Sequence, residues 1–362
     1  MASPGLPETG DARNEDARGK LVNAGALAGR NVLVTGGAGM IGSNLVRRLC
    51  ELGARVQVVD NLWRGTLANL HDEDGTPFID LDADFHRLDL AIPGALTPLL
   101  PGVDLVFHLA DVVAGIGYVF ENQGSIFRQN LLINSNVIAS VREHPVEGLL
   151  YAATACSFPA HLQTGSDARP LREEDLYPAA PESGYGWSKL MGQYECELLE
   201  QECGVPVSVL ILHNVYGTPT DFTAKKGQVI PSLIRKAVRY PDEPFVVWGS
   251  GSQGRAFVHV DDVVDAFVAA ACRGLGKGAI QIGPGVCTSI REIAEAVVTI
   301  SGKSIEIEYD LSAPEGDLGR CADFAKAREL LDWEPRVSLE DGLDRLFHWL
   351  ELRLRAHADT PG

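Results

Sequence analysis

From Asn31 onward the chain alternates short apolar runs with amphipathic stretches. Asn31-Val-Leu-Val-Thr35 is a β-branched run, Gly36-Gly37-Ala38-Gly39-Met40-Ile41-Gly42 a glycine-rich turn, and residues 43–52 a segment that sets Leu45 and Leu49 on one helical face with Ile41. That order predicts strand, turn and helix. A second apolar run, 55–59, ends in Asp60, and a polar, glycine-containing stretch to Asp82 reads as loop. The alternation then resumes with strands at 84–88 and 103–108 around a short helix at 95–100. One long helix over 118–141 is predicted to bury Phe127, Leu131, Ile138 and Val141, followed by a strand at 148–153. A helix from Tyr185 to about Cys203 and a strand at 205–212 complete a β-α-β-α series, the pattern of a parallel, doubly wound α/β sheet. Beyond Tyr216 the regularity breaks. A loop at 218–227, a helix at 229–238, a strand at 245–248 and short elements at 261–272, 289–300, 305–307, 325–331 and 339–354 read as a smaller, less regular lobe.

The first turn carries the first chemical signal. Glycines at 36, 39 and 42 allow, in order, a tight turn, close approach of backbone N–H groups to a pyrophosphate, and packing of helix on strand. The helix N-terminus then faces the phosphate charge. Asp60, ending the next strand, offers a carboxylate to a ribose diol, which favours NAD over the 2′-phosphorylated cofactor. Asp89 and Leu90 stand at another strand end, where such sheets bind ligands, and suit contact with adenine.

The second signal follows the fifth strand. Tyr185 and Lys189 are four residues apart at the head of a helix and share one face. An ammonium beside a phenol is expected to lower its pKa from about 10 toward neutrality and make it a usable acid/base. The Thr154 hydroxyl, upstream at the end of the strand, can hydrogen-bond the same substrate oxygen. His108, at a strand end beside an apolar run, reads as structural. Arg255 and Arg320 lie next to glycines, in what read as loops, and are the candidate bidentate cations for a diphosphate.

Composition narrows the partners. At 362 residues and 45% hydrophobic content the chain can bury a large core in two lobes. A formal net charge of −18 argues against nucleic acid or an anionic membrane as partner. Seven cysteines without a close-pair pattern argue against a disulfide framework or a zinc site, so no metal is expected and a reducing, cytoplasmic setting fits. No stretch of about 18 apolar residues offers a membrane span. Residues 1–29, rich in Gly, Ala, Pro and charge, read as a disordered extension and 356–362 as a tail. Between them lie a nucleotide-binding domain over 30–215 and a mainly substrate-binding lobe over 216–355, some of whose segments return to the first.

The glycine turn, His108-Leu-Ala110, Tyr185-x-x-x-Lys189, His213-Asn-Val-Tyr-Gly217 and Arg255-Ala-Phe-Val-His-Val-Asp-Asp262 together resemble the NAD-dependent sugar-nucleotide epimerase/dehydratase family, extended short-chain dehydrogenases with a Rossmann-type sheet and a small α+β C-terminal lobe. Ala110-Asp-Val-Val-Ala-Gly-Ile-Gly-Tyr118, Tyr151-Ala-Ala-Thr-Ala-Cys-Ser-Phe-Pro159 and Ala313-Pro-Glu-Gly316 are most similar to the branch of GDP-mannose 3,5-epimerases, with GDP-fucose synthases next. The resemblance implies a homodimer with tightly held NAD and a nucleotide-diphosphate sugar as substrate, GDP-linked by preference. It further implies cofactor contacts from Asn61, Arg64, Leu109, Ala110 and His213 beside Met40 and Ile41, and substrate contacts from Gly115, Ile116, Gly117, Asn214, Val229 and Trp248.

The residues after Thr154 discriminate between reactions. The dehydratases carry an Asp-Glu pair there, where this chain has Ala155 and Cys156. A cysteine at this place is shared by the 3,5-epimerases and fucose synthases, and implies proton exchange at the carbon beside a transient ketone. The second acid/base of those enzymes falls at Val229 or Gln228, neither of which transfers a proton; Lys225 and Lys226 are the nearby alternatives. A single inversion, or a substrate other than GDP-mannose, is therefore expected. A rotating 4-epimerase, a net reductase and a non-catalytic NAD-sensing protein stay open.

Overall fold

The computed structural model describes residues 25–165, 169–223, 227–313 and 318–358. Most of the proposed N-terminal extension, the end of the tail, Lys225, Lys226 and most of the Ala313–Gly316 motif lie outside them. In chain order the strands are β1 (Asn31–Thr35), β2 (Arg55–Asp60), β3 (Phe85–Arg87), β4 (Leu105–His108), β5 (Gly148–Thr154), β6 (Val207–Leu212), β7 (Asn214–Tyr216), β8 (Val246–Trp248), β9 (Gly254–Arg255), β10 (Phe257–His259), β11 (Gly278–Ile282), β12 (Thr288–Ser289), β13 (Glu308–Asp310) and β14 (Gly319–Arg320). The helices are α1 (Met40–Glu51), α2 (Ile116–Glu121), α3 (Gln123–Glu143), α4 (Gly184–Cys203), α5 (Val229–Arg239), α6 (Val260–Arg273), α7 (Ile290–Ser301), α8 (Ala325–Leu331) and α9 (Leu339–Ala358).

Seven strands form one parallel sheet in the order β11-β6-β5-β4-β1-β2-β3. The fold is thus a doubly wound Rossmann-type sheet. Its apolar runs are continuous because both faces are covered. Val32, Val34, Leu105, Phe107, Leu150 and Ala152 point to one side, against Leu45 and Leu49 of α1 and Val263 and Phe267 of α6. Leu33, Val106, Leu149, Tyr151 and Ala153 point to the other, against Ile133 and Val137 of α3 and Leu190 and Leu199 of α4. Leu27 joins the first of these cores and the Gly29 amide donates to the Gly53 carbonyl at 2.8 Å. Packed chain therefore begins before Arg30. A third core, built on Leu233, Ile234, Phe245, Ile293, Val297, Leu346 and Leu350, belongs to the C-terminal lobe.

Three expectations change. The single helix over 118–141 is two, α2 and α3, parted at Asn122, whose φ of −125° and ψ of 25° leave the helical region and whose side chain donates to the Tyr118 carbonyl at 2.9 Å. The buried face of α3 lies beside the one predicted: it carries Ile126, Asn130, Ile133, Asn134, Val137, Ile138 and Val141, while Phe127 and Leu131 are only half-buried. Two asparagines sit on that face because each has a buried partner: Asn134 meets His108 of β4 and the Ser188 carbonyl, and Asn130 holds the loop after β4. Asn130 accepts from the Val112 amide at 2.6 Å and donates to its carbonyl at 3.1 Å. The element expected at 305–307 is β13, slightly later, paired in parallel with β8.

The third change concerns the cysteines. Cys287 and Cys321 form a disulfide across 34 residues, stapling the segment before β12 to the end of β14. Sequence spacing hides this pair because only the three-stranded sheet β12-β9-β14 brings the two together. Closing a loop of this length is expected to add about 4 kcal/mol of stability by restricting the unfolded chain. Denaturant melts with and without a thiol reductant measure it. Reduction and Cys287→Ser should lower the unfolding free energy equally, and the reductant should do nothing further to the variant; coincident melts for oxidised and reduced wild type would contradict it.

Candidate functional site

The glycine turn is packed so that side chains are excluded where backbone must approach. Gly36 has φ +71°, and a Cβ there would lie 2.8 Å from the Ala110 nitrogen. A Cβ at Gly42 would lie 2.1 Å from the Gly36 carbonyl oxygen. The first turn of α1 therefore sits directly on the loop. Its N-cap is Gly39, with no side-chain cap and no acidic residue in the first turn, so the amides of Met40, Ile41 and Gly42 point at an anion-ready opening. At the end of β2 the Asp60 carboxylate accepts from the amides of Ala38 at 3.0 Å and Leu62 at 2.8 Å. Burial raises its pKa while those donors oppose the rise, and lone pairs remain on both oxygens for a diol. The residues present fit a dinucleotide.

Beyond β5 the chain turns sharply into the second half of the site. Thr154 Oγ1 accepts from the Cys156 amide at 3.2 Å, shaping the turn that presents the sulfur. Helix α4 starts on Ser183, whose Oγ accepts from the Gly186 amide at 3.3 Å. A Cβ on Gly186 would come within 2.1 Å of the Cys156 carbonyl oxygen. Only glycine lets the helix bearing Tyr185 and Lys189 press against the turn bearing Cys156.

The phenol and ammonium do not interact as the sequence suggests. The Tyr185 hydroxyl donates to Asp111 Oδ2 at 3.2 Å, and Lys189 Nζ lies 3.4 Å from that same oxygen. Burial first, and then the Asp111 charge, hold the phenol pKa well above its usual value, the reverse of the expected lowering. Lys189 is 1% exposed, with its ammonium 4.7 Å from the centroid of the Tyr151 ring. Asp111 is a site residue that sequence reasoning misses. Its signal is there, an acid just past the end of a central strand, at the edge where doubly wound sheets bind ligands. His108 has the structural part expected of it: Nδ1 is 2.8 Å from Thr35 Oγ1, Nε2 is 3.1 Å from Asn134 Oδ1, and burial pushes its pKa down to about 3.

Arg255 and Arg320 are not in loops. They lie in register on the parallel strands β9 and β14, both buried. Desolvation, and then the neighbouring Arg320, push the Arg255 pKa down to about 10. Arg320 Nη1 donates to Cys156 Sγ at 3.0 Å, and its Nε donates to Gln163 Oε1. Gln163, buried and also missed, further receives the Leu318 amide on its backbone carbonyl at 2.9 Å, so it fixes the approach of β14 to the turn.

These elements surround one cavity of about 1750 Å³, well above the size usual for a single small ligand. Thr154, Cys156, Tyr185, Asp60, Asn61, Arg64, Leu90, Leu109, Ala110, His213, Asn214, Arg255 and Arg320 all line it, as do the glycine turn, Gly115, Ile116, Gly117, Gln228, Val229 and Trp248. Two predicted residues do not. The Asp89 carboxylate turns back to accept from the Ala91 amide at 3.0 Å, and Lys189 lies behind the wall, reaching the cavity only through Asp111. Arg64 is anchored to the Val113 carbonyl at 3.0 Å, and His213 Nε2 lies 3.0 Å from Gln281 Oε1. Among the described residues no His, Cys, Asp or Glu cluster could hold a metal, and no helix is long and apolar enough to cross a membrane.

A model of the NAD dependent epimerase/dehydratase family matches residues 32–283. GDP-mannose 3,5-epimerase of Arabidopsis thaliana is 30% identical over 320 residues, 88% of this chain and 82% of that protein. Among solved structures, UDP-glucose 4-epimerase of Thermotoga maritima with UDP-glucose superposes with a TM-score of 0.79 at 28% identity, covering 90% of this chain and 99% of that one. UDP-glucose 4-epimerase of Thermus thermophilus in complex with NAD gives 0.75 at 27% identity, covering 88% and 98%. The chain belongs to the NAD-dependent epimerase/dehydratase family, acts on nucleotide sugars and uses NAD as its cofactor.

Proposed function

We propose that this protein epimerises a nucleotide-diphosphate hexose or longer sugar, GDP-linked by preference, inverting a centre next to a transiently oxidised carbon. The observation that carries the reading is the contact between Arg320 and Cys156 in the same cavity as Tyr185 and Thr154. NAD, when bound, would supply reversible hydride transfer with the sugar carbon. In this reading the first-turn amides of α1 hold the pyrophosphate and Asp60 accepts from a ribose diol. Tyr185 exchanges a proton with the reacting hydroxyl, whose oxygen Thr154 orients. Oxidation makes the adjacent C–H acidic, and Cys156 removes that proton on one face. Arg255 and Arg320, two guanidiniums side by side in a chain of net charge −18, hold the diphosphate. Likeness to the A. thaliana GDP-mannose epimerase supports the GDP preference. Gln228 and Val229 line the same cavity and neither transfers a proton, so in this reading solvent water returns the proton to the enolate carbon on the face away from Cys156, and one centre inverts.

Similarity to UDP-glucose 4-epimerase favours a second reading, inversion at the oxidised carbon itself by rotation of the keto sugar. Turnover of candidate sugars in deuterated water separates the two. The proposal expects one carbon-bound deuterium in each inverted product, and Cys156→Ser should slow formation of that product by roughly 10²–10⁴-fold. Inversion without carbon-bound deuterium would overturn it.

We also propose a homodimer joined through α3 and α4. These helices pack against each other, and Leu132, Trp187 and Tyr194 stay exposed on them, more apolar surface than a solvated helix pair needs. Light scattering is expected to give twice the 38.9 kDa chain mass. A particle of one chain mass at micromolar concentration would contradict the dimer.

A further inference from the structure

One oxygen of Asp111 meets both members of the Tyr185 and Lys189 pair, 3.2 Å from the phenol and 3.4 Å from the ammonium. Its placement is built in. The next residue, Val112, is gripped at both its amide and its carbonyl by buried Asn130 of α3, which fixes the backbone that carries the carboxylate. The Asp111 side chain is only 14% exposed, and it lines the cavity from which Lys189 is shut off.

We propose that Asp111 is a positioning residue of the acid/base site: one oxygen of its carboxylate holds the Tyr185 phenol and the Lys189 ammonium at a single point. This rests on the reading of Tyr185 as the group that exchanges a proton with substrate.

The charges around the pair decide the sign of the effect. Facing Tyr185 are Asp111 from the loop after β4, Cys156 from the turn after β5 and Tyr151 from β5. Facing Lys189 are Asp111, His108 from β4 and Cys196 from α4. Burial holds His108 neutral, with its pKa near 3, and raises the Cys196 thiol, so neither carries charge at neutral pH. Glu195 of α4 acts on Cys196 and Tyr151, whereas Asp111 is the carboxylate in contact with the Lys189 ammonium. With the carboxylate in place, a phenolate would form beside a negative charge. With it removed, the phenolate would form beside an unopposed ammonium.

Asp111→Asn keeps the shape and removes the charge. Titration of Tyr185, read as the ultraviolet absorbance of its phenolate after subtracting the matching Tyr185→Phe background, is expected to move about 1–3 pH units toward neutrality in the variant. The acid limb of kcat/KM should move in the same direction. Where Asp111→Asn does not fold, Asp111→Ser is expected to give the same displacement. Coincident titrations in variant and wild type, or a shift to higher pH, would overturn the proposal. The absorbance needs no turnover, so its failure is distinct from that of the catalytic reading, which fails when Tyr185→Phe retains full epimerisation.

Discussion

An ammonium group with 1% of its surface exposed must have its charge answered inside the protein, and the candidate site is built around that requirement at Lys189. Three neighbours supply the answer. Asp111 provides the counter-charge, the face of Tyr151 accepts the cation at 4.7 Å, and the sheet behind excludes water that would weaken both contacts. Each tie also fixes a functional element. Asp111 holds the loop after β4 against α4, and Tyr151 belongs to the strand that ends at Thr154. The buried charge is the point where three segments of the sheet's carboxyl edge are registered to one another.

A second constraint closes the site from the other lobe. Strands β9 and β14 are two residues long, yet their register places two guanidiniums side by side. Gln163 and Cys156 receive the Arg320 end of that pair, so a segment near the C-terminus of the chain touches the turn after β5. Gly186 lets α4 approach the same turn from the opposite side, within a distance no side chain would permit. The turn that carries the Cys156 sulfur is thereby reached both by α4 and by β14. A thiol and a phenol reach the same space only because both approaches are close.

Much of this is legible in the sequence, and the reason is locality. The turn after β1, α1 and the carboxylate at the end of β2 follow from runs, glycines and periodicity within 30 residues, and Tyr185 and Lys189 from helical spacing. What is not legible depends on residues brought together from afar. The asparagines on the buried face of α3 look polar by pattern, and only their partners, His108 for Asn134 and Val112 for Asn130, show why they are inside. Arg255 and Arg320 read as loop residues because strands of two residues leave no periodicity. The pairing of Cys287 with Cys321, the hold of Gln163 on Arg320 and the part of Asp111 between Tyr185 and Lys189 are all tertiary facts with no local signature. The expected acidity of the phenol fails for that same reason, since burial, and then a carboxylate 74 residues away, act against the ammonium a helical turn away.

The account turns on the Tyr185 phenol in the cavity wall, with the Lys189 ammonium behind it, facing the nicotinamide end of the bound cofactor. A crystal structure of the protein with NAD tests that most directly. The account predicts the Tyr185 hydroxyl directed at the nicotinamide end, with Lys189 behind it on Asp111 and Cys156 still held by Arg320. A phenol turned into bulk solvent, or a cofactor whose nicotinamide lies away from Thr154 and Tyr185, would contradict it.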